Sequence, residues 1–86
     1  MRDYNLLEFK AFRQTVRNRD GRKCRWLNCK KRSKLQVHHI LPWSRHPNLR
    51  YNPFNGITLC KTHHKLVTGN EYVYAPLLSK IVHEEL

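Results

Sequence analysis

Residues 55–64 read Asn-Gly-Ile-Thr-Leu-Cys-Lys-Thr-His-His, and this stretch decides how we expect the chain to fold. Asn55-Gly56 is a turn dipeptide, and the apolar and β-branched residues Ile57–Leu59 that follow are typical of a short strand. Cys60 then begins a segment that reads as a helix to about Val67. The stretch therefore predicts a turn, a strand and a helix, with a cysteine at the junction between strand and helix.

Four potential metal ligands occur as two closely spaced pairs. Cys24 and Cys29 are separated by four residues, Cys60 and His63 by two, and thirty residues lie between the pairs. Structural zinc is usually held by four Cys and His side chains in two such pairs. The alternative is that the cysteines are small buried apolar residues and that His63 lies at the surface. Because all three cysteines fall in the paired pattern, we predict a structural Zn²⁺ bound by these four residues.

Length and charge place the chain among small basic domains. It has 86 residues, of which 17 are Lys or Arg and 6 are Asp or Glu, so the formal net charge is +11. A chain this short has room for one core, which hydrophobic burial alone stabilises only marginally, so a bound metal would add needed stability. A surface this basic usually has an anionic partner, and nucleic acid is favoured over an anionic lipid surface or a merely soluble basic protein.

Further elements are predicted on both sides of these motifs. They are a helix at about residues 5–19 that ends in an Asp20-Gly21 turn, a strand at residues 35–40, a long polar loop at residues 44–53 and a helix at about residues 76–86. Pro76 is acceptable in the first turn of a helix, so it marks the predicted start of the last one. We therefore expect a single domain, residues 1–86, with a motif core at about residues 20–68.

Neither a membrane span nor a secretion signal is predicted. No apolar run approaches the ~20 residues needed to cross a bilayer, and no apolar signal core follows the N-terminal residues Met1–Asn5. The odd number of three cysteines argues against a disulfide framework. We therefore expect an intracellular protein that is not secreted, in which cysteines stay reduced and bind metal.

Outside the zinc set, three histidines and one asparagine follow in the order His38, His39, Asn55 and His64. Neighbouring strand residues point to opposite faces, so His38 and His39 can share one site only if the strand end bends. His63 and His64 diverge by about 100° on a helix and can serve two sites. Taken singly, each residue is more readily a packing or turn residue. Their joint order, interleaved with the zinc pairs, favours a site where imidazoles act as metal ligands and general base.

Together these motifs resemble the HNH endonuclease family. The resemblance is carried by VHHILP at residues 37–42, NGITLC at 55–60 and CKTHH at 60–64, with RDGRKC at 19–24 entering the cysteine loop. It spans about residues 13–68 and covers the structural zinc set. It implies a small α+β domain in which a ββα-metal active site lies inside a treble-clef-like scaffold held by zinc, with flanking N- and C-terminal helices.

The resemblance also implies a role for each remaining residue of the pattern. His38 and His64 match the ligands of a catalytic divalent ion, such as Mg²⁺, Mn²⁺, Ni²⁺ or Zn²⁺. His39 matches the general base, and Asn55 matches an asparagine that braces the loop between the strands and helps to orient the base. The implied activity is hydrolysis of DNA phosphodiester bonds, by nicking or by cutting both strands.

One position departs from the family pattern. Some members carry another histidine one helical turn after the position of His64, where this chain has Thr68, a poor metal ligand. The catalytic ion would then rely on two protein ligands, with phosphate and water completing its coordination, or would recruit Glu71 or His46.

The expected partners are DNA and, by the resemblance alone, phage packaging machinery such as terminase. Compact stand-alone members of the family are frequent in bacteriophage genomes, so the resemblance implies the cytoplasm of an infected bacterial host. Candidate phosphate contacts near the active strand are Lys31, Arg32, Lys34, Arg45 and Arg50. Two alternatives stay open, namely a non-catalytic zinc-binding nucleic-acid-binding module and a nuclease acting chiefly on RNA. No oligomeric state is predicted.

Overall fold

A computed structural model describes residues 6–83 of the chain. Its elements are α1 (Leu7–Arg19), β1 (Leu35–His39), β2 (Gly56–Cys60), α2 (Lys61–Val67) and α3 (Glu71–His83), with 3₁₀ turns at Pro47–Leu49 and Pro53–Asn55. A ββα unit flanked by two helices confirms the predicted α+β class. Residue 5 of the predicted first helix and residues 84–86 of the predicted last helix lie outside the described residues. No helix within residues 6–83 is long and apolar enough to cross a membrane.

The two strands form an antiparallel sheet that sets the positions of the predicted ligands. In this register Leu35 lies opposite Cys60, and His39 lies opposite Gly56. The cysteine is therefore at one end of the sheet and the histidine pair is near the other. Every residue of β2 is buried, whereas His38 is the one fully buried residue of β1.

Helix α1 packs directly on the sheet at Gly56. A Cβ atom at this position would lie 2.7 Å from both Phe12 Cζ and Val16 Cγ2, so a side chain there would push the helix away. Phe9, Phe12 and Val16 form the buried face of α1, at the helical spacing seen in the sequence. The rest of the core joins the sheet to α2 and α3 through Ile40, Ile57, Leu59, Val67, Leu78 and Val82.

The predicted start of the last helix was wrong. Helix α3 begins at Glu71, five residues before the predicted start, and Pro76 lies inside it. Proline removes one helical hydrogen bond and costs about 3 kcal/mol in a helix interior. Pro76 is exposed, so its ring lies on the solvent side, while Leu78 and Val82 on the other side are completely buried. Burial of this apolar face offsets the cost of the proline.

Asp20, which the sequence presents as a turn residue after α1, is buried, and its side chain hydrogen-bonds to several elements of the fold. Its Oδ1 accepts hydrogen bonds from Arg19 Nε at 2.8 Å and from Arg25 Nη1 at 2.6 Å. Its Oδ2 accepts one from the backbone N–H of Thr58 in β2, also at 2.8 Å. The Asp20 side chain has no exposed surface. The carboxylate thus joins the end of α1, the cysteine loop and the central strand.

We expect Asp20→Ala to lower the free energy of unfolding of the metal-loaded protein by about 3–5 kcal/mol, because it leaves two largely buried arginines without their anion. Urea unfolding followed by circular dichroism measures this loss. Glu8→Ala is the matched control, since Glu8 is exposed on α1 and its removal should change stability by less than about 0.5 kcal/mol. A loss of that small size for Asp20→Ala would contradict the structural role.

Candidate metal centre and catalytic cleft

The structure brings together all four residues predicted to bind zinc. The ligand atoms of Cys24, Cys29, Cys60 and His63 lie within 4.8 Å of one another. His63 Nδ1 is 3.3 Å from Cys60 Sγ and 3.6 Å from Cys24 Sγ. A tetrahedral zinc with bonds of about 2.3 Å to sulfur needs ligand atoms roughly 3.8 Å apart. The cluster could therefore hold a metal such as zinc, and no other group of three or more such side chains converges this way within residues 6–83.

Local backbone bonds and one aromatic ring shape this cluster. The Cys24 N–H donates to the carbonyl of Lys31, and the Cys29 N–H donates to that of Trp26, so the loop folds around its two thiols. The Trp26 ring stacks on the His63 ring at 5.0 Å with an interplanar angle of 11°. This stacking holds the plane of the imidazole that presents Nδ1 to the cysteines.

The two buried thiols differ in their acidity. Burial raises the pKa of the Cys24 thiol to about 11, so this thiol needs a cation to ionise near neutral pH. Burial also acts to raise the pKa of Cys60. Hydrogen bonds from the backbone N–H of His63, from the Cys24 and Cys29 thiols and from the backbone N–H of Thr62 together outweigh it and lower that pKa. A more acidic thiol at the start of α2, beside a less acidic one that a metal would ionise, fits a cation site.

The predicted catalytic histidines line a separate polar cleft of about 370 Å³. His38, His39 and His64 all contribute to its wall, together with Thr68 and Glu71. The two neighbouring strand residues reach one cleft because β1 ends at His39. A larger groove of about 540 Å³ is mostly apolar, and Asn55 is the one predicted site residue that lines it. We therefore take the smaller, polar cleft as the candidate site.

His38 and His64 face each other across this cleft, with their ring centroids 5.6 Å apart. His38 is only 5% exposed, and its Nε2 is buried with no hydrogen-bond partner among residues 6–83. Burial and the neighbouring His64 lower the pKa of His38 to about 4, and burial lowers the pKa of His64 as well. Both imidazoles are therefore neutral near pH 7 and have lone pairs that suit a divalent cation.

Hydrogen bonding and packing fix His39. Its Nε2 lies 2.8 Å from the carbonyl oxygen of Arg50. Because a carbonyl can only accept, Nε2 carries the proton and the lone pair is on Nδ1. The ring stacks on Phe12 at 4.8 Å and meets the Trp43 ring edge-on at 5.2 Å. An imidazole with a defined tautomer and a fixed orientation is suited to take a proton.

Asn55 is buried and bonds to the backbone of the segment between the strands. Its Oδ1 accepts from the Leu41 N–H at 2.9 Å, and its Nδ2 donates to the carbonyls of Leu41 and Leu49 at 3.2 and 3.3 Å. Its own carbonyl accepts from the Ile40 N–H. The side chain thus connects both parts of the loop that begins where β1 ends.

The basic residues predicted to contact phosphate lie on two loops. Lys31, Arg32, Lys34 and Arg45 are exposed, and Arg50 lies with its guanidinium 4.8 Å from the centre of the Trp43 ring. Sequence reasoning missed Arg13 and Arg17 as candidates. They line a pocket that also contains His39 and His64, and their spacing of four residues on α1 was the available signal.

Glu71 is the acidic residue of the cleft. Burial acts to raise its pKa, but the backbone N–H groups of Gly69 and Glu71, with His38 and His64, lower it overall. Its Oε2 accepts a hydrogen bond from the Gly69 N–H at 3.1 Å. The other suggested ligand, His46, instead lies 2.9 Å from the hydroxyl of Tyr72.

Comparison with known proteins gives one match. The sequence model of the HNH endonuclease family matches residues 24–67, which is slightly more than half of the chain. The matched segment contains the four cluster ligands and the three cleft histidines. No curated protein and no solved structure matches the chain.

Proposed function

Because this chain belongs to the HNH endonuclease family, we propose that it is a metal-dependent endonuclease that hydrolyses DNA phosphodiester bonds. One observation carries the proposal, namely that three histidines with distinct environments line one polar cleft. His39 is held by a carbonyl and two aromatic rings, while His38 and His64 face each other as neutral imidazoles. Membership of the family by itself supports a nuclease with a nucleic acid substrate.

In this proposal His39 is the general base. Its Nδ1 takes a proton from the water that attacks the phosphorus atom, and the ring becomes an imidazolium. The Arg50 carbonyl then stabilises that cation through the Nε2–H bond, which strengthens when the donor is charged. Phe12 and Trp43 keep the ring from turning away during the transfer.

His38 and His64 would hold the catalytic divalent ion, for which Mg²⁺, Mn²⁺, Ni²⁺ and Zn²⁺ are the candidates. When bound, such an ion polarises a non-bridging phosphate oxygen and stabilises charge on the leaving 3′ oxygen. The two imidazoles bind a cation near neutral pH without first losing a proton. Asn55 keeps the loop at the end of β1 in place, and so acts on the site through the backbone.

We further propose that Cys24, Cys29, Cys60 and His63 hold a structural zinc, which the convergence of their ligand atoms supports. DNA would be bound through its phosphates by the exposed basic residues and by Arg13 and Arg17. Such contacts position a duplex and read no bases, so we expect weak sequence preference.

The wider setting is also a proposal. The chain would act as one domain inside the cell, and a part in phage genome packaging or processing, with terminase as partner, rests on family resemblance. The net charge of +11 supports the DNA partner through counterion release from the phosphates.

Incubation of supercoiled plasmid with the zinc-loaded protein tests the proposal. We expect nicked or linear product with at least one of Mg²⁺, Mn²⁺ and Ni²⁺, and none when the ion is omitted. The ratio of nicked to linear product reports whether one strand or both are cut. Binding of DNA at low salt without cleavage in any ion would instead identify a non-catalytic binding module. Faster cleavage of RNA of the same sequence would overturn the DNA assignment.

A further inference from the structure

We propose that Glu71 is a third protein ligand of the divalent ion in the cleft, an inference that rests on the proposed function. Glu71 is the first residue of α3 and lines the same cleft as His38 and His64. It lies outside residues 24–67, so the family match assigns it no role.

Charge is the first argument for this role. Two other acidic residues are described: Glu8 is exposed on α1, and Asp20 is buried against its two arginines. Glu71 is the one whose carboxylate lines the cleft where a phosphate has to bind. In a chain of net charge +11, a lone carboxylate there repels the substrate. A divalent cation bound between the Glu71 carboxylate and the phosphate attracts both anions and so offsets this repulsion.

The second argument comes from the unsatisfied histidine. His38 Nε2 is buried without a hydrogen-bond partner among residues 6–83, in a cleft that is more polar than apolar. Two neutral imidazoles would leave a bound ion with its full charge of +2 in a partly enclosed site. A carboxylate oxygen neutralises part of that charge and is the ligand that Mg²⁺ and Mn²⁺ prefer.

A purely structural role is the competing explanation. Glu71 Oε2 accepts the Gly69 N–H bond, and an acidic residue in the first turn suits the helix dipole. The carboxylate has a second oxygen, Oε1, which can bind a cation while Oε2 keeps the Gly69 bond. Within residues 6–83 the ligand atoms of His38, His64 and Glu71 do not form a group as close as the Cys/His cluster, so metal binding requires these three side chains to move closer together.

Glu71→Gln separates the two roles, because the amide oxygen still accepts from Gly69 while the negative charge is gone. The measurement is the Mn²⁺ affinity of the full zinc-loaded chain without DNA, from the electron paramagnetic resonance signal of free Mn²⁺. We expect Glu71→Gln to weaken Mn²⁺ binding by about 10- to 100-fold, and Glu71→Asp to retain most of the affinity. Glu8→Gln, which changes the corresponding first-turn glutamate of α1, should bind like the wild type.

Equal Mn²⁺ affinity of Glu71→Gln and the wild type, with both folded by circular dichroism, would overturn the assignment. If Glu71→Gln fails to fold, Glu71→Asp and Glu71→Ser replace it. Wild-type Mn²⁺ affinity in Glu71→Asp and lost affinity in a folded Glu71→Ser support the assignment. Equal Mn²⁺ affinity in these two variants overturns it. The two proposals fail separately. If Mn²⁺ binding depends on Glu71 but no nucleic acid is cleaved, the nuclease proposal alone is refuted. If the protein cleaves nucleic acid but its Mn²⁺ affinity does not depend on Glu71, this inference alone is refuted.

Discussion

Removal of metal from the Cys/His cluster is expected to unfold the domain. Metal binding by structural zinc sites contributes on the order of 10 kcal/mol, which equals or exceeds the whole stability of a typical domain. The remaining framework is a two-stranded sheet with short helices, which is marginal by itself. We therefore expect chelation to abolish the cooperative thermal transition measured by circular dichroism, and stoichiometric Zn²⁺ to restore it.

Cys29→Ser tests the contribution of metal binding separately from that of side-chain packing, because Cys29 is the cluster cysteine that is only partly buried. With Zn²⁺ present we expect this variant to be far less stable than the wild type. With chelator present the two chains should behave alike, which serves as the internal control. A cooperative transition that survives in a chain shown to be free of metal would contradict the prediction.

The second large effect is expected in catalysis, where His39→Gln should lower the cleavage rate by about 10²- to 10⁴-fold. The glutamine Nε2–H can still donate to the Arg50 carbonyl, but the side chain offers no basic nitrogen near neutral pH. Single-turnover cleavage of plasmid measures the rate, and filter binding should show unchanged affinity for DNA.

His83→Gln is the matched control, since His83 lies on α3 and packs on Phe54. It should cleave at the wild-type rate. His39→Ala leaves a gap between Phe12 and Trp43, so added imidazole should restore part of the lost rate. Retention of more than a tenth of the wild-type rate by His39→Gln would remove His39 as the base.

Local features of the sequence predicted the Cys/His cluster and the order of the elements. The spacing within each ligand pair acts over a few residues and can be read directly from the sequence. The predicted Asn55-Gly56 turn was wrong in one respect, because Gly56 is extended as the first residue of β2 and its lack of a side chain serves the close packing of α1. The roles of His38, His39, Asn55 and His64 remain predictions, although the structure places the three histidines in one cleft.

What the sequence did not reveal depends on contacts between distant segments. Pro76 was read as a helix start because proline is a strong local signal, yet burial of Leu78 and Val82 overrides it. Asp20 looked like a turn residue because its partner in β2 is 38 positions away. Arg17 could not be assigned to the site before α1 was placed beside the sheet. The sequence offered Glu71 and His46 as alternatives, and only the placement of α3 puts Glu71 in the cleft and His46 beside Tyr72.

The adjacency of His63 and His64 has a consequence for how the protein matures. One residue belongs to the cysteine cluster and the next to the catalytic cleft, so the same helical turn positions both. Under the proposed role of zinc, capture of the first ion orders the helical turn that presents His64 opposite His38. We therefore expect sequential loading, in which cleavage appears only after the first ion has bound, whatever the supply of the second.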